Sequence, residues 1–266
     1  MIEPRFENNC RHFIKSDSRS PFRVLEYTKD LSVTPGMAQL QYFMSEMNIR
    51  RRQVVCELNG QTGIICQAGA MQWIYGNVKA TTGVKGVGDL AKKVFRGATT
   101  KESAIKPEYV GNGYLVLEPT YKYILMEDVG EWSQYGGLVV EDGMFLATEN
   151  TVNNSVVARK SISSAILGGE GLFNCCLTGK GFAVLESNVP EEELIDIKLD
   201  NETLKIDGRN AVCWSGSLDF TVEPISTSLV GSAASGEGLV NVYRGTGIVR
   251  MSPVAISQYE RKKGSN

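Results

Sequence analysis

From Arg50 onward the chain alternates short apolar runs with glycine-, asparagine- and aspartate-rich breaks, a pattern that predicts strands rather than helices. Gln53-Val54-Val55-Cys56-Glu57-Leu58 ends at Asn59-Gly60, a strong turn signal. Gly63 to Cys66 and the aromatic run Gln72 to Tyr75 follow. The scheme returns as Gly137 to Val140 and Asp142 to Ala147, then as Leu204 to Ile206 and Ala211 to Trp214. Ahead of these strands, Phe22 to Tyr27 reads as a strand and Thr34-Pro35-Gly36 as a turn. Met37 to Met47 is ambiguous. Met37, Leu40, Phe43, Met44 and Met47 fit a helical stripe that Thr34 and Pro35 would start well. A strand leading into Arg52 fits the repeating scheme better.

That scheme has a period. Gly111-Asn112-Gly113, Gly179-Lys180-Gly181 and Gly245-Thr246-Gly247 begin 68 and then 66 residues apart, and each is followed by apolar residues. Glu102, Glu170 and Glu237 precede them in glycine- or serine-flanked turns. One unit used three times is the economical reading, and a unit of this size is marginal alone, so a shared core is expected. The boundaries are an extension over 1–38, β modules over 39–119, 120–188 and 189–256, and a tail over 257–266. A short helix is expected over Asp89 to Phe95, and a weaker helical turn over Ser161 to Leu167. Val189-Pro190-Glu191-Glu192-Glu193-Leu194 reads as a connection between modules.

With the motifs in place, the chain resembles the bacterial and mitochondrial proteins named for altered inheritance of mitochondria. Gly168-Gly169-Glu170-Gly171-Leu172-Phe173 with Gly179-Lys180-Gly181 carries the likeness, joined by Ala68-Gly69-Ala70-Met71 and Gly236-Glu237-Gly238-Leu239. It spans about residues 40 to 253. Lys101-Glu102-Ser103 departs from the Gly-Glu-Gly pattern, and the third unit is one residue shorter between Glu237 and Gly245. The resemblance implies an all-β fold of three fused modules in a pseudo-threefold arrangement. Each module would be similar to the tryptophan RNA-binding attenuation protein subunit, a short relative of the double-stranded β-helix. Eukaryotic members are associated with mitochondrial inner-membrane organisation. Residues 1–20 are polar and show neither a transit peptide nor an apolar signal region, so a bacterial-type cytoplasmic member is expected. The resemblance brings no catalytic residues.

Composition narrows the function classes. A net charge of −2, with 42% hydrophobic and 22% charged residues over 266, argues for a globular chain and against a dedicated nucleic-acid binder. Ring-type RNA binding would need a recurring basic residue, yet Lys79 corresponds roughly to Arg159 and then to Glu223. Arg50-Arg51-Arg52 reads as a solvated gatekeeper cluster. No apolar run reaches the roughly 20 residues that span a bilayer. Cys10, Cys56, Cys66, Cys175, Cys176 and Cys213 lack metal or disulfide spacing and read as free thiols.

His12, the one histidine, lies in the extension, which removes the usual triads and most zinc sites from the core. Glu102, Glu170 and Glu237 could converge on a cation, but carboxylates in glycine turns are better read as accepting backbone N–H bonds. Gly111, Gly113, Gly179, Gly181, Gly245 and Gly247 read as hairpin turns with positive φ, because no helix follows them to face a phosphate. No catalytic, metal or cofactor residue is therefore assigned. The expectation is a non-enzymatic binding or scaffolding protein with a protein partner, homo-oligomerisation being open. A small-ligand or nucleic-acid-binding ring and a carboxylate-based hydrolase are the alternatives.

Overall fold

The computed structural model describes residues 4–81, 106–158, 173–207, 210–224 and 239–254, and they are mostly strand. β1 (Arg11–Ser16) and β2 (Phe22–Tyr27) precede a 3-10 turn at Pro35–Met37 and a helix, α1 (Ala38–Glu46). A first segment, within 39–119, then supplies β3 (Arg52–Asn59), β4 (Ile64–Cys66), β5 (Met71–Thr81) and β6 (Glu108–Leu117). The second supplies β7 (Tyr123–Asp128), a 3-10 segment at Val129–Tyr135, β8 (Leu138–Val140), β9 (Phe145–Glu149), β10 (Val152–Ala158), β11 (Phe173–Gly179) and β12 (Phe182–Ser187). The third supplies β13 (Ile195–Asp207), β14 (Ala211–Ser215), β15 (Asp219–Pro224) and β16 (Leu239–Met251).

Two antiparallel sheets result. One runs β1-β2-β3-β6-β4-β9-β12-β7 with β5 beside β6, and the other runs β10-β11-β8-β14-β16-β13 with β15 beside β16. Late strands of each segment gather the earlier ones. β6 pairs with β3, β4 and β5, and β16 pairs with β13, β14 and β15. β11 and β12, end to end, pair with β7, β8, β9 and β10.

The cores cross the sequence boundaries. Val54, Leu115 and Leu117 share a buried cluster with Leu146, Phe182 and Val184, so residues on both sides of position 119 pack together. Val212 and Cys213 join Leu138, Leu177 and Leu185 in a second cluster, which spans position 188. Arg250 fastens the same junction, with its guanidinium on Glu127 and Asp196. Burial raises the Glu127 carboxyl, while Arg250 and the Trp132 indole N–H oppose that rise.

Met37 to Met47 is helical: Pro35 opens the turn and local propensity prevails over the repeating scheme. The 191–193 connection is a 3-10 turn whose Glu191 reaches Lys15. All six cysteines are free, and all but Cys10 are buried. The expected helical segments at 89–95 and 161–167 lie outside the described residues.

All three Gly-X-Gly pairs need correction, because none is a hairpin turn. Gly111 and Gly113 stand inside β6, and Gly245 and Gly247 inside β16. Gly179-Lys180-Gly181 is a bend between β11 and β12, which run on in one direction opposite β10 and β9, Gly179 facing Val152 and Ala183 facing Thr148. The positive φ holds for Gly111, Gly113, Gly179, Gly181 and Gly245, but not for Gly247. Inside β6 the glycines serve close backbone approach. A Cβ on Gly113 would lie 1.9 Å from the Tyr75 carbonyl oxygen of β5.

Candidate functional site

Glu102, Glu170 and Glu237 lie outside the described residues. Among the described residues, a register-holding carboxylate is Glu149 at the end of β9. Its Oε1 accepts a 2.7 Å hydrogen bond from the Phe182 N–H, immediately after Gly181. Sequence reading missed Glu149 because its partner is 33 residues away.

Burial raises the Glu149 carboxyl above its ordinary value, outweighing the Phe182 hydrogen bond, and the Asp128 charge adds to the rise. The native state therefore binds this proton more tightly than the unfolded chain. Stability then falls as pH climbs from the usual carboxylate range through the raised value. Glu149→Gln keeps an acceptor for Phe182 and stays neutral. It should melt at a higher temperature than the parent at pH 7, with the gap closing below about pH 4. Melting curves from pH 4 to 8 check this, and a gap independent of pH would refute it.

Among the described residues, no group of three or more His, Cys, Asp or Glu is placed to hold a metal. Four of the buried thiols, Cys56, Cys66, Cys176 and Cys213, are poor nucleophiles. Burial raises Cys56 and Cys213 well above the ordinary value and pushes Cys66 up to about 12.

The arginine run is not a solvated gatekeeper, which corrects the sequence reading. Arg52 is only 3% exposed, and Glu26, itself buried, lies between two guanidiniums. Arg52 Nη2 is 2.8 Å from one Glu26 oxygen, and Arg50 Nη1 is 3.0 Å from the other. The Arg52 guanidinium also lies over the Tyr123 ring at 4.2 Å. Arg51 pairs with Asp30 and donates through Nε to the Tyr121 hydroxyl.

These cations hold the end of α1. Asn48 takes a φ of +60° after the helix, and Ile49 N–H returns to the Met44 carbonyl while Asn48 N–H returns to Ser45. That closure satisfies the last carbonyls in the manner of a Schellman motif. Arg50 Nε donates to the Ser45 carbonyl and Arg52 Nη2 to the Asn48 carbonyl, placing positive charge at the helix's negative end.

The side of α1 that faces the domain is polar. Gln41 donates to the Tyr121 hydroxyl at 3.1 Å, and the Ser45 hydroxyl donates to the Thr28 carbonyl at 3.0 Å. Beneath them lies a cleft of about 300 Å³ lined by Tyr27, Tyr42, Tyr121, Arg50, Arg51 and Asp30. The opposite side is apolar and bare. Leu40 is 52% exposed, Phe43 56% and Met47 73%, and no residue of α1 is buried. The usual amphipathic order is inverted: polar groups face the protein and apolar ones face outward. Sequence periodicity revealed the stripe but not its direction.

Residues 46–254 match the mitochondrial biogenesis AIM24 family. The chain belongs to that family. It is 29% identical over 214 residues to the uncharacterized protein M6_Spy0233 of Streptococcus pyogenes serotype M6, covering 77% of this chain and 83% of that protein. A crystal structure of protein SPYM3_0169 from Streptococcus pyogenes is similar, with a TM-score of 0.58 and 25% identity. The likeness covers 81% of this chain and 94% of that one. The AIM24 match begins at the last residue of α1, so the apolar stripe lies almost wholly ahead of it. Among the described residues no helix is long and apolar enough to cross a membrane.

Proposed function

We propose that this AIM24-family chain is a non-enzymatic binding or scaffolding protein that holds a protein partner on the outward face of α1. The observation that carries this reading is a helix fixed by Arg50 and Arg52 yet burying none of its apolar side chains. Helices in proteins draw most of their stability from packing an apolar face. One of nine residues with that face bare is built to be covered. The non-enzymatic part is supported by buried, protonated thiols and by carboxylates already committed to neighbours. Glu127 serves Arg250 and Trp132, and Glu149 serves Phe182.

The reading extends to architecture and location. Three attenuation-protein-like modules in a ring would account for three late strands that each gather their own repeat, with a Gly-X-Gly pair on or beside each one. Five buried free thiols suit a reducing, cytoplasmic setting. One observation favours small-ligand binding as a second reading: the cleft behind α1 sets three tyrosines beside Arg50 and Arg51.

Affinity capture from the native host, comparing the wild type with the Leu40→Asp/Phe43→Asp chain, tests the main reading. The expected result is at least one protein retained by the wild type and depleted tenfold or more by the double variant. Identical retention by both chains, with equal melting temperatures, would count against α1 as the binding face.

A further inference from the structure

We infer that the partner seated on α1 is a second copy of this chain, the two helices packing antiparallel across a two-fold axis; this inference rests on the binding role proposed for the helix. Met37, Leu40, Met44 and Met47 recur at i, i+3, i+7 and i+10, which is the a/d spacing of a coiled-coil seam. Such a seam is complementary to itself. In an antiparallel pair Met37 meets Met47 of the other copy and Leu40 meets Met44, with Phe43 beside the axis. An isologous contact of this kind is the commonest way a soluble chain pairs.

Area and charge point the same way. Met37, Leu40, Phe43 and Met47 are 44–73% exposed beside a half-buried Met44, a patch on the order of the 300–600 Å² that is the largest a soluble monomer usually leaves exposed. It also approaches the roughly 600 Å² per partner at which specific interfaces begin. The only charged side chain on α1 is Glu46, and it lines the cleft on the opposite side. Two copies therefore meet with no like charges opposed. An anionic bilayer, the other surface that takes up apolar helices, would find no lysine or arginine on α1, and Arg50, Arg51 and Arg52 are already paired with Glu26 and Asp30.

Sedimentation equilibrium of the purified full-length chain, with Leu40→Glu and Phe43→Glu beside it, tests the inference. The wild type should sediment at twice the 29.1 kDa chain mass. Each variant should dimerise at least tenfold more weakly while keeping the parent's circular dichroism and melting temperature. As a check that tolerates loss of variant stability, Phe43→Cys in a Cys10→Ser background should oxidise to a disulfide-linked dimer, the remaining cysteines being buried. A monomeric wild type overturns the inference, as does a dimer that both glutamate variants leave intact. A monomer that co-sediments with phosphatidylglycerol vesicles overturns it in favour of a membrane surface. If the chain is monomeric while Leu40→Asp/Phe43→Asp still loses a captured protein, self-pairing fails and the binding role stands. If no captured protein is lost either, both fail.

Discussion

Arg52→Ala is expected to cost about 3 kcal/mol, the low end for breaking a buried ion pair by removing one partner. The low end applies because Arg50 still faces the other oxygen of Glu26. The loss is still large. Glu26 would keep its charge in a buried site, and Asn48 would lose the donor to both its carbonyl and its Oδ1. Arg52→Lys should not restore stability, because one ammonium cannot span Glu26, Asn48 and the Tyr123 face together. Arg52→Met with Glu26→Gln should recover much of the loss, since the unpaired charge is then gone. Urea unfolding of the four chains measures these losses and the recovery. A cost under about 0.5 kcal/mol for Arg52→Ala, the level of an ordinary surface change, would mean the cluster is solvated after all.

Gly113→Val should be worse, at about 4 kcal/mol, because two independent penalties fall on one residue. A β-branched side chain at a φ of +143° costs about 1–3 kcal/mol. Its Cβ would also stand 1.9 Å from the Tyr75 carbonyl oxygen, forcing β5 and β6 apart for a further 1–3 kcal/mol or so. Gly245, in β16, has a φ of +118°, but its Cβ would meet nothing closer than 3.8 Å. Gly245→Val therefore incurs mainly the backbone penalty, about 1–3 kcal/mol. Calorimetry should show a single transition for both variants, because buried clusters cross positions 119 and 188. Equal losses at the two glycines would contradict the steric argument, and separate melting of one repeat would contradict the shared core.

What could be read from the sequence depended on how each segment meets solvent. β3, β4 and β14 were legible because their Val, Ile and Cys runs are buried and bounded by turn residues. β1 was missed because Arg11-His12-Phe13-Ile14-Lys15-Ser16 is only half covered and carries charge. Most of β13 was missed because Asp196 to Glu202 is polar, with one side lying on β16. The glycine pairs announced unusual backbone but not whether the chain reverses there, since close strand approach and a turn both demand a missing Cβ. The inverted helix was half legible. Its stripe could be counted, whereas its direction follows from Arg50, Arg52, Tyr121 and Thr28, contacts that spacing does not encode. Arg52 looked solvated because Glu26, which buries it, lies on another strand.

β6 and β16, which gather the strands before them, are also made after those strands. At about 5–20 residues per second, β3 waits several seconds on the ribosome before β6 exists to pair with it. β13, β14 and β15 likewise wait for β16. The nascent chain thus carries unpaired edges until β6, and again until β16, emerges. A message truncated before residue 239 would release three strands with no β16 to join, a product for chaperones and proteases rather than a two-thirds protein.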